Sequence, residues 1–215
     1  MVAVDAALCV FLLPRDRGGR AASPGIRSLL LDKSVLVAAV AVALAAIGWG
    51  IVEPLLPVQL TRAGVTPGVI GLIFTAGSIA YGLSAPVVGW VSNRIPISRL
   101  IAGGTLAMAI ALPFLSLGEG ALAAAVGLCM VSVCYAFMLN PTSAELGNAV
   151  DRRGMSCYAA VHVVYNIAYA VGQTAASGFA SVASAKLSFQ ALLCVSGALT
   201  VFTPFLMLRG YRRLG

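Results

Sequence analysis

Long uncharged runs alternate with short charged punctuation along the whole chain. Residues 34–52, 63–93, 100–118, 120–144, 154–185 and 187–208 contain no Asp, Glu, Lys or Arg. Each run is long enough for a membrane helix, which needs about 20 residues at a rise of 1.5 Å each. The pattern predicts six spans, near 34–60, 67–92, 98–118, 121–146, 155–181 and 187–208, and an all-α membrane protein. Residues 1–13 are apolar except for Asp5, too short to span, and followed rather than preceded by positive charge. They read as the last turns of a preceding membrane helix. Residues 14–33, with four Arg and one Lys, then form a basic cytoplasmic linker, and 210–215 a tail.

Composition supports this reading. Hydrophobic residues make up 60% of the 215 and charged residues 10%, against roughly 45–50% and about 25% in soluble domains. So few charges cannot solvate a globule of this size, so soluble enzymes, nucleic-acid binders and disordered chains are excluded as classes. The net charge of +7 reports topology. With alternate loops assigned to alternate sides, one side holds twelve of the 14 cations and the other only Arg62 and Lys186. That bias puts both termini in the cytoplasm. Cys9, Cys129, Cys134, Cys157 and Cys194 all lie in apolar runs and suit small, buried, reduced side chains.

Three short matches recur at almost one offset. Glu53-Pro54 returns as Asn140-Pro141, Ile79-Ala80-Tyr81 as Ile167-Ala168-Tyr169, and Pro113-Phe114-Leu115 as Pro204-Phe205-Leu206. Three in order suggest a duplicated three-helix unit. Because three is odd, consecutive units enter the membrane from opposite sides, giving a 3+3 inverted repeat, a construction common in secondary transporters. In such proteins the binding site lies at interrupted helices in corresponding positions. Here those are the first helix of each unit, expected to break at Glu53-Pro54-x-x-Pro57 and at Asn140-Pro141.

Glu53 is the one acid well inside an apolar run. A charge near the bilayer centre costs roughly 3 kcal/mol on insertion scales. It is tolerated if the carboxylate faces a wet cavity, meets a cation or takes up a proton. The other reading places Glu53 at the outer interface. Trp49, one turn earlier, offers a ring to an organic cation or an interfacial anchor. In the fifth span Tyr158, His162, Tyr165, Asn166, Tyr169 and Gln173 share a sector about 100° wide, opposite Ala160, Val164, Ile167 and Val171. In lipid such a face turns inward, either to line a cavity or to hydrogen-bond neighbouring helices. His162, the only histidine, suits a proton relay or a packing role. Tyr81 and Ser78 share a face of the second span, and Thr66-Pro67 is a helix start with Thr as N-cap. No phosphate-cradling loop, nucleophile elbow or metal-ligand cluster appears, so no enzyme activity, cofactor or metal is expected.

The stretch Gly48 to Pro57 resembles the seventh helix of the major facilitator superfamily. The Glu-Pro-x-x-Pro element is similar to that of the drug:proton antiporters and vesicular amine transporters. Gly147 to Arg153 resembles that branch's loop between helices ten and eleven, and Tyr165 to Gly178 its helix eleven. Gly89-Trp90-Val91-Ser92-Asn93-Arg94 resembles the loop motif Gly-x-x-x-Asp-Arg-x-Gly, with Asn93 at the Asp and Pro96 at the Gly. Gly89 and Arg94 carry over, and Asp151 and Arg152 belong to the later loop. The resemblance implies that residues 34–209 are one six-helix half of a twelve-helix transporter, with Glu53 contacting cationic substrate. Acids that serve proton coupling in the vesicular branch correspond here to Leu139 or Asn140 and to Asn166, none of them a carboxylate.

The function expected is secondary active transport, proton-coupled efflux of a small amphipathic or cationic molecule. Glu53, Trp49, Tyr81, Asn140, His162, Asn166, Tyr169 and Gln173 are the candidate substrate-binding residues. The expected partners are the bilayer of the cell membrane, the substrate, protons, and a missing N-terminal six-helix half or a second copy. The alternative is a non-transporting assembly subunit, or an inactive truncated fragment, whose polar residues only bind helices together.

Overall fold

The computed structural model describes residues 33–118, 120–151 and 158–212. Among them run six helices: α1 (Lys33–Arg62), α2 (Pro67–Ser92), α3 (Ile97–Leu115), α4 (Ala121–Asp151), α5 (Tyr158–Ala183) and α6 (Phe189–Arg212). The apolar segment 1–13, the linker residues up to 32, Cys9, Cys157, Glu119 and Arg152 lie outside the described residues, as do the side chains of Asp151, Tyr158 and Pro204.

The punctuation between helices follows local chemistry. At the end of α1, Val65 N–H donates to Leu60 C=O at 3.0 Å across Gly64, whose φ of +79° favours glycine. Pro67 opens α2 as expected. The Thr66 side chain makes no capping hydrogen bond, however, and the residue contributes only its extended backbone, φ −70° and ψ 149°. Helix α3 closes at Leu115, three residues before the expected end, because Ser116 N–H and Oγ both fold back onto Pro113 C=O.

Among the described residues, four helical segments are long and apolar enough to cross a membrane: Val42–Arg62, Pro67–Ser92, Ile97–Leu115 and Ala121–Ala144. Tyr, His, Asn, Gln and Ser lower the apolarity of α5, and the apolar stretch described in α6 covers Phe189–Val201. Large apolar side chains such as Leu83, Leu122 and Val182 project outward, 69%, 80% and 77% exposed. In water such a surface would aggregate, whereas lipid tails cover it. Cys129 and Cys134 are half-buried, but Cys194 sits on the outer face of α6, contrary to expectation.

The expected helix breaks do not occur. Pro54 and Pro57 lie inside a continuous α1, and Pro141 inside α4. A proline within a helix frees the carbonyl four residues earlier, and in lipid that carbonyl needs a partner or close cover. For Pro54 the freed carbonyl is Gly50, and Ser177 Oγ of α5 donates to it at 2.9 Å. For Pro113 it is Ala109, against which Gly197 of α6 lies so closely that a Cβ there would be 2.7 Å from the oxygen. For Pro141 it is Phe137, approached in the same way by Gly104 of α3. Small residues on the neighbouring helix thus cover what these three prolines expose.

Helix α1 packs along α5 and α2 along α4, while α3 lies against α4 and α6, and α6 also against α1. The α1–α5 seam is parallel. Val35 and Ala39 meet Val161 and Val164 at one end, and Gly50 meets Gln173 and Ala176 farther along. Val164 is thereby buried against α1, so the apolar side of α5 is shared between helix and lipid. The main core joins Val42, Leu56, Met108, Leu112, Leu128 and Leu192.

Candidate functional site

Helices α1, α2, α4 and α5 leave a cavity of about 430 Å³ between them, lined by Trp49, Gly77, Ser78, Tyr81, Ser132, Tyr135, Leu139, Tyr165, Asn166 and Tyr169. Its size falls in the range of small-molecule sites. Trp49, Tyr81 and Tyr135 each lie near the middle of their helices, which places the cavity at half height in the bundle. Helices α3 and α6 contribute no lining residue.

The aromatic wall is ordered around Tyr135. Its ring stacks on Trp49 with centroids 5.3 Å apart and planes 16° apart. On the other side it meets Tyr81 at 6.1 Å, tilted by 49°. Tyr81 Oη donates to Asn140 Oδ1 at 3.0 Å. Gly77 makes room on α2, since a Cβ there would come within 3.0 Å of Ser132 Oγ.

On α5, Asn166 Nδ2 donates to its own helix at His162 C=O, 2.9 Å away. The His162 ring is exposed and stands edge-on to Tyr165 at 6.3 Å. One turn beyond Trp49 and Tyr169, Gln173 Nε2 donates to Glu53 Oε2. Glu53 itself is exposed, on the open side of the α1–α5 pair.

Of the eight expected substrate residues, Trp49, Tyr81, Asn166 and Tyr169 therefore line the cavity. Asn140 stands behind it as the acceptor for Tyr81. His162 lies outside its lining, against Tyr165. Glu53 and Gln173 form a bonded pair beside it. In the loop motif, Gly89 is exposed with open space around it, and the Arg94 guanidinium lies 3.8 Å from the centroid of the exposed Trp90 ring.

Tyr135 and Ser132 are absent from the expected set. Their signal was the spacing Ser132, Tyr135, Leu139, one face of a helix at i, i+3, i+7. In sequence that stripe is diluted by Val133, Cys134, Ala136 and Phe137. Both residues are buried, Tyr135 to 5% exposure and Ser132 to 1%. Neither hydroxyl has a hydrogen-bond partner, and the same holds for Asn140 Nδ2.

The family model for the Major Facilitator Superfamily matches residues 38–214. The chain is 26% identical over 199 residues to the chromaffin granule amine transporter of Rattus norvegicus, covering 90% of this chain and 37% of that protein. Against the Homo sapiens protein of the same name it is 24% identical, covering 80% of the chain and 33% of the relative. Against the synaptic vesicular amine transporter of Homo sapiens it is 22% identical over 214 residues, 95% of this chain and 40% of the relative. The chain thus spans about two fifths of the length of the curated relatives it matches.

Proposed function

The chain belongs to the major facilitator superfamily, and from that membership we propose that it forms the second six-helix half of a secondary active exporter of small cationic amines. As a member it is a multi-pass membrane protein of a transporter family. The amine specificity rests on relatives that are named amine transporters. The observation that carries the proposal is the mid-height cavity between α1, α2, α4 and α5, with aromatic walls and a carboxylate one turn away. Aromatic faces attract a desolvated cation and cover its apolar body, and Glu53 supplies the opposite charge.

The 3+3 inverted repeat is part of this reading, and the helix pairing supports it. The first helix of each unit packs on the second helix of the other, α1 on α5 and α4 on α2. The tyrosines of the repeated Ile-Ala-Tyr, Tyr81 and Tyr169, both reach the cavity. In each unit the residue before the matching proline, Glu53 or Asn140, accepts a hydrogen bond from the second helix of the other unit. We place both termini on the cytoplasmic side. Arg62 lines a cleft with Ser184 and Leu187 of the α5–α6 turn, the turn that carries Lys186, which supports placing the two lone cations of the opposite side at one end of the bundle. Asn140 and Asn166 carry no titrating carboxylate, so proton coupling falls to Glu53 or to acids of a preceding half.

Inside-out membrane vesicles with an acidified interior test this. Vesicles from cells producing the transporter accumulate a radiolabelled aromatic amine. Glu53→Gln lowers that accumulation roughly tenfold or more, the usual value of a charged hydrogen bond, with unchanged protein in the membrane. Equal accumulation by variant and wild type removes Glu53 from the site.

A further inference from the structure

A second cavity, of about 560 Å³, lies where α5 turns into α6. Helix α1 packs against both of these helices and lines the gap between their ends with Pro54, Leu55, Val58, Gln59 and Arg62. Val58 and Leu187 are 48% and 42% exposed, so the cleft is open at the surface. It shares no lining residue with the aromatic cavity. At about 100° per residue, Pro54, Val58 and Arg62 fall on the side of α1 opposite Trp49 and Glu53. The cleft is therefore turned away from the substrate cavity and toward the bilayer.

Its polarity runs in one direction. Arg62 is the last residue of α1 and Ser188 directly precedes α6, so both stand at the rim. Pro54, Leu55 and Val58 lie one to two turns inward on α1, and Leu192 lies a turn into α6. The hydroxyls in the cleft differ in what they can offer. Ser181 Oγ donates to Ser177 C=O at 2.8 Å and Ser184 Oγ to Ser181 C=O at 2.9 Å, so their protons are committed. Ser188 Oγ accepts instead, from Ala191 N–H at 3.2 Å, which leaves its own proton for a ligand. The donors at the rim are then the Arg62 guanidinium, the Gln59 amide and the Ser188 hydroxyl, and no acidic residue lines the cleft. In the orientation proposed above, Arg62 also stands on the side that holds only two of the 14 cations. A guanidinium kept there, over an apolar cleft, has the chemistry to grip a phosphate by two oxygens at once.

We propose that this cleft binds an anionic phospholipid, with its phosphate held at the rim by Arg62 and Ser188 and an acyl chain lying inward over Leu55, Val58 and Leu192. A free anion would use the rim and leave the apolar part uncovered. A zwitterionic lipid brings its own cation to the phosphate and gains less from Arg62. The site stands whatever molecule the aromatic cavity takes.

Native mass spectrometry of the full chain in neutral detergent tests this, with equimolar phosphatidylglycerol and phosphatidylcholine of one chain length added. The first bound lipid is phosphatidylglycerol by about tenfold, the ordinary worth of a charge-assisted hydrogen bond. Arg62→Gln, at an exposed helix end, brings that ratio below about threefold. Lys186→Gln, in the adjoining turn but outside the lining, changes it by less than about twofold, since a lone surface charge is worth little. Val58→Trp fills the apolar part and removes the phosphatidylglycerol preference with Arg62 still in place. An excess of inorganic phosphate leaves the lipid bound. Equal binding of the two lipids by the parent chain overturns the proposal, as does equal loss on Lys186→Gln and Arg62→Gln, which would mean diffuse charge. Displacement by inorganic phosphate, or a preference that survives Val58→Trp, overturns the lipid as occupant.

Discussion

The two walls of the cavity are built on opposite terms. On the α1–α5 wall the helices approach to backbone contact at Gly50 and Gly172. Their polar groups are paired across the seam, Ser177 to Gly50 C=O and Gln173 to Glu53. On the α2–α4 wall one pair, Tyr81 to Asn140, is made, and three polar atoms of α4 are left over. In lipid the first arrangement is what holds helices together, since no hydrophobic force distinguishes a neighbour from a lipid tail. The second cannot be explained as glue. Two of its three unpaired atoms, Ser132 Oγ and Tyr135 Oη, belong to cavity-lining residues, so under the proposed function the α1–α5 seam is scaffold and the α2–α4 wall a recognition surface.

The largest effect that tests the comparison comes from closing the scaffold's seam. A Cβ on Gly172 would lie 2.2 Å from Ala43 C=O, a backbone atom that cannot swing aside. Gly172→Val therefore destabilises by more than about 3 kcal/mol, beyond ordinary overpacking, and yields no monodisperse peak on size exclusion in detergent. Gly82→Ala on α2, where nothing lies within 4 Å, keeps the wild-type profile. A folded Gly172→Val variant would mean the seam is looser than its geometry.

Next in size, the recognition wall should gain stability when its orphan is removed. Tyr135→Phe keeps the ring stacked on Trp49 and deletes the unpaired Oη. Without ligand, its thermal midpoint rises by about 2–4 °C for each kcal/mol recovered. Ser196→Ala on α6, an orphan outside the cavity lining, raises it too and leaves amine binding untouched. A fall in midpoint for Tyr135→Phe would show that the phenol has a partner, and the two walls would then be alike.

How much of this was legible in the sequence follows the same division. Helix α2 runs over Pro67–Ser92 as expected, because Thr66-Pro67 and Pro96 are local signals that need no tertiary context. Helix α4 runs on to Asp151, past the expected 146, because an acidic residue stops an apolar run but not a helix. The prolines were legible as perturbations but not as continuous helix, since what saves each helix sits on another one. Tyr81 and Tyr169 could be found through the repeated Ile-Ala-Tyr. The pairing of Asn140 with Tyr81 and of Gln173 with Glu53 spans 59 and 120 residues, which helical periodicity within one span cannot reveal. Tyr135 was hidden for a simpler reason. A single tyrosine in an apolar run reads as core until its neighbours are seen.

The smallest effect asks whether proline and serine in the scaffold are one device. Ser177→Ala removes one interhelical hydrogen bond, worth about 0.6 kcal/mol by membrane-protein precedent, because Pro54 cannot supply the donor that Gly50 C=O would otherwise receive from its own helix. Pro54→Ala restores that donor. In the Pro54→Ala background Ser177→Ala should therefore cost almost nothing, and the two changes should be non-additive by about the value of the single bond. Chemical unfolding of the four members of this cycle measures it. Strict additivity would mean that the Ser177 hydroxyl merely rests near Gly50. The α1–α5 wall would then owe its closure to Gly50, Gly172 and the Gln173–Glu53 pair.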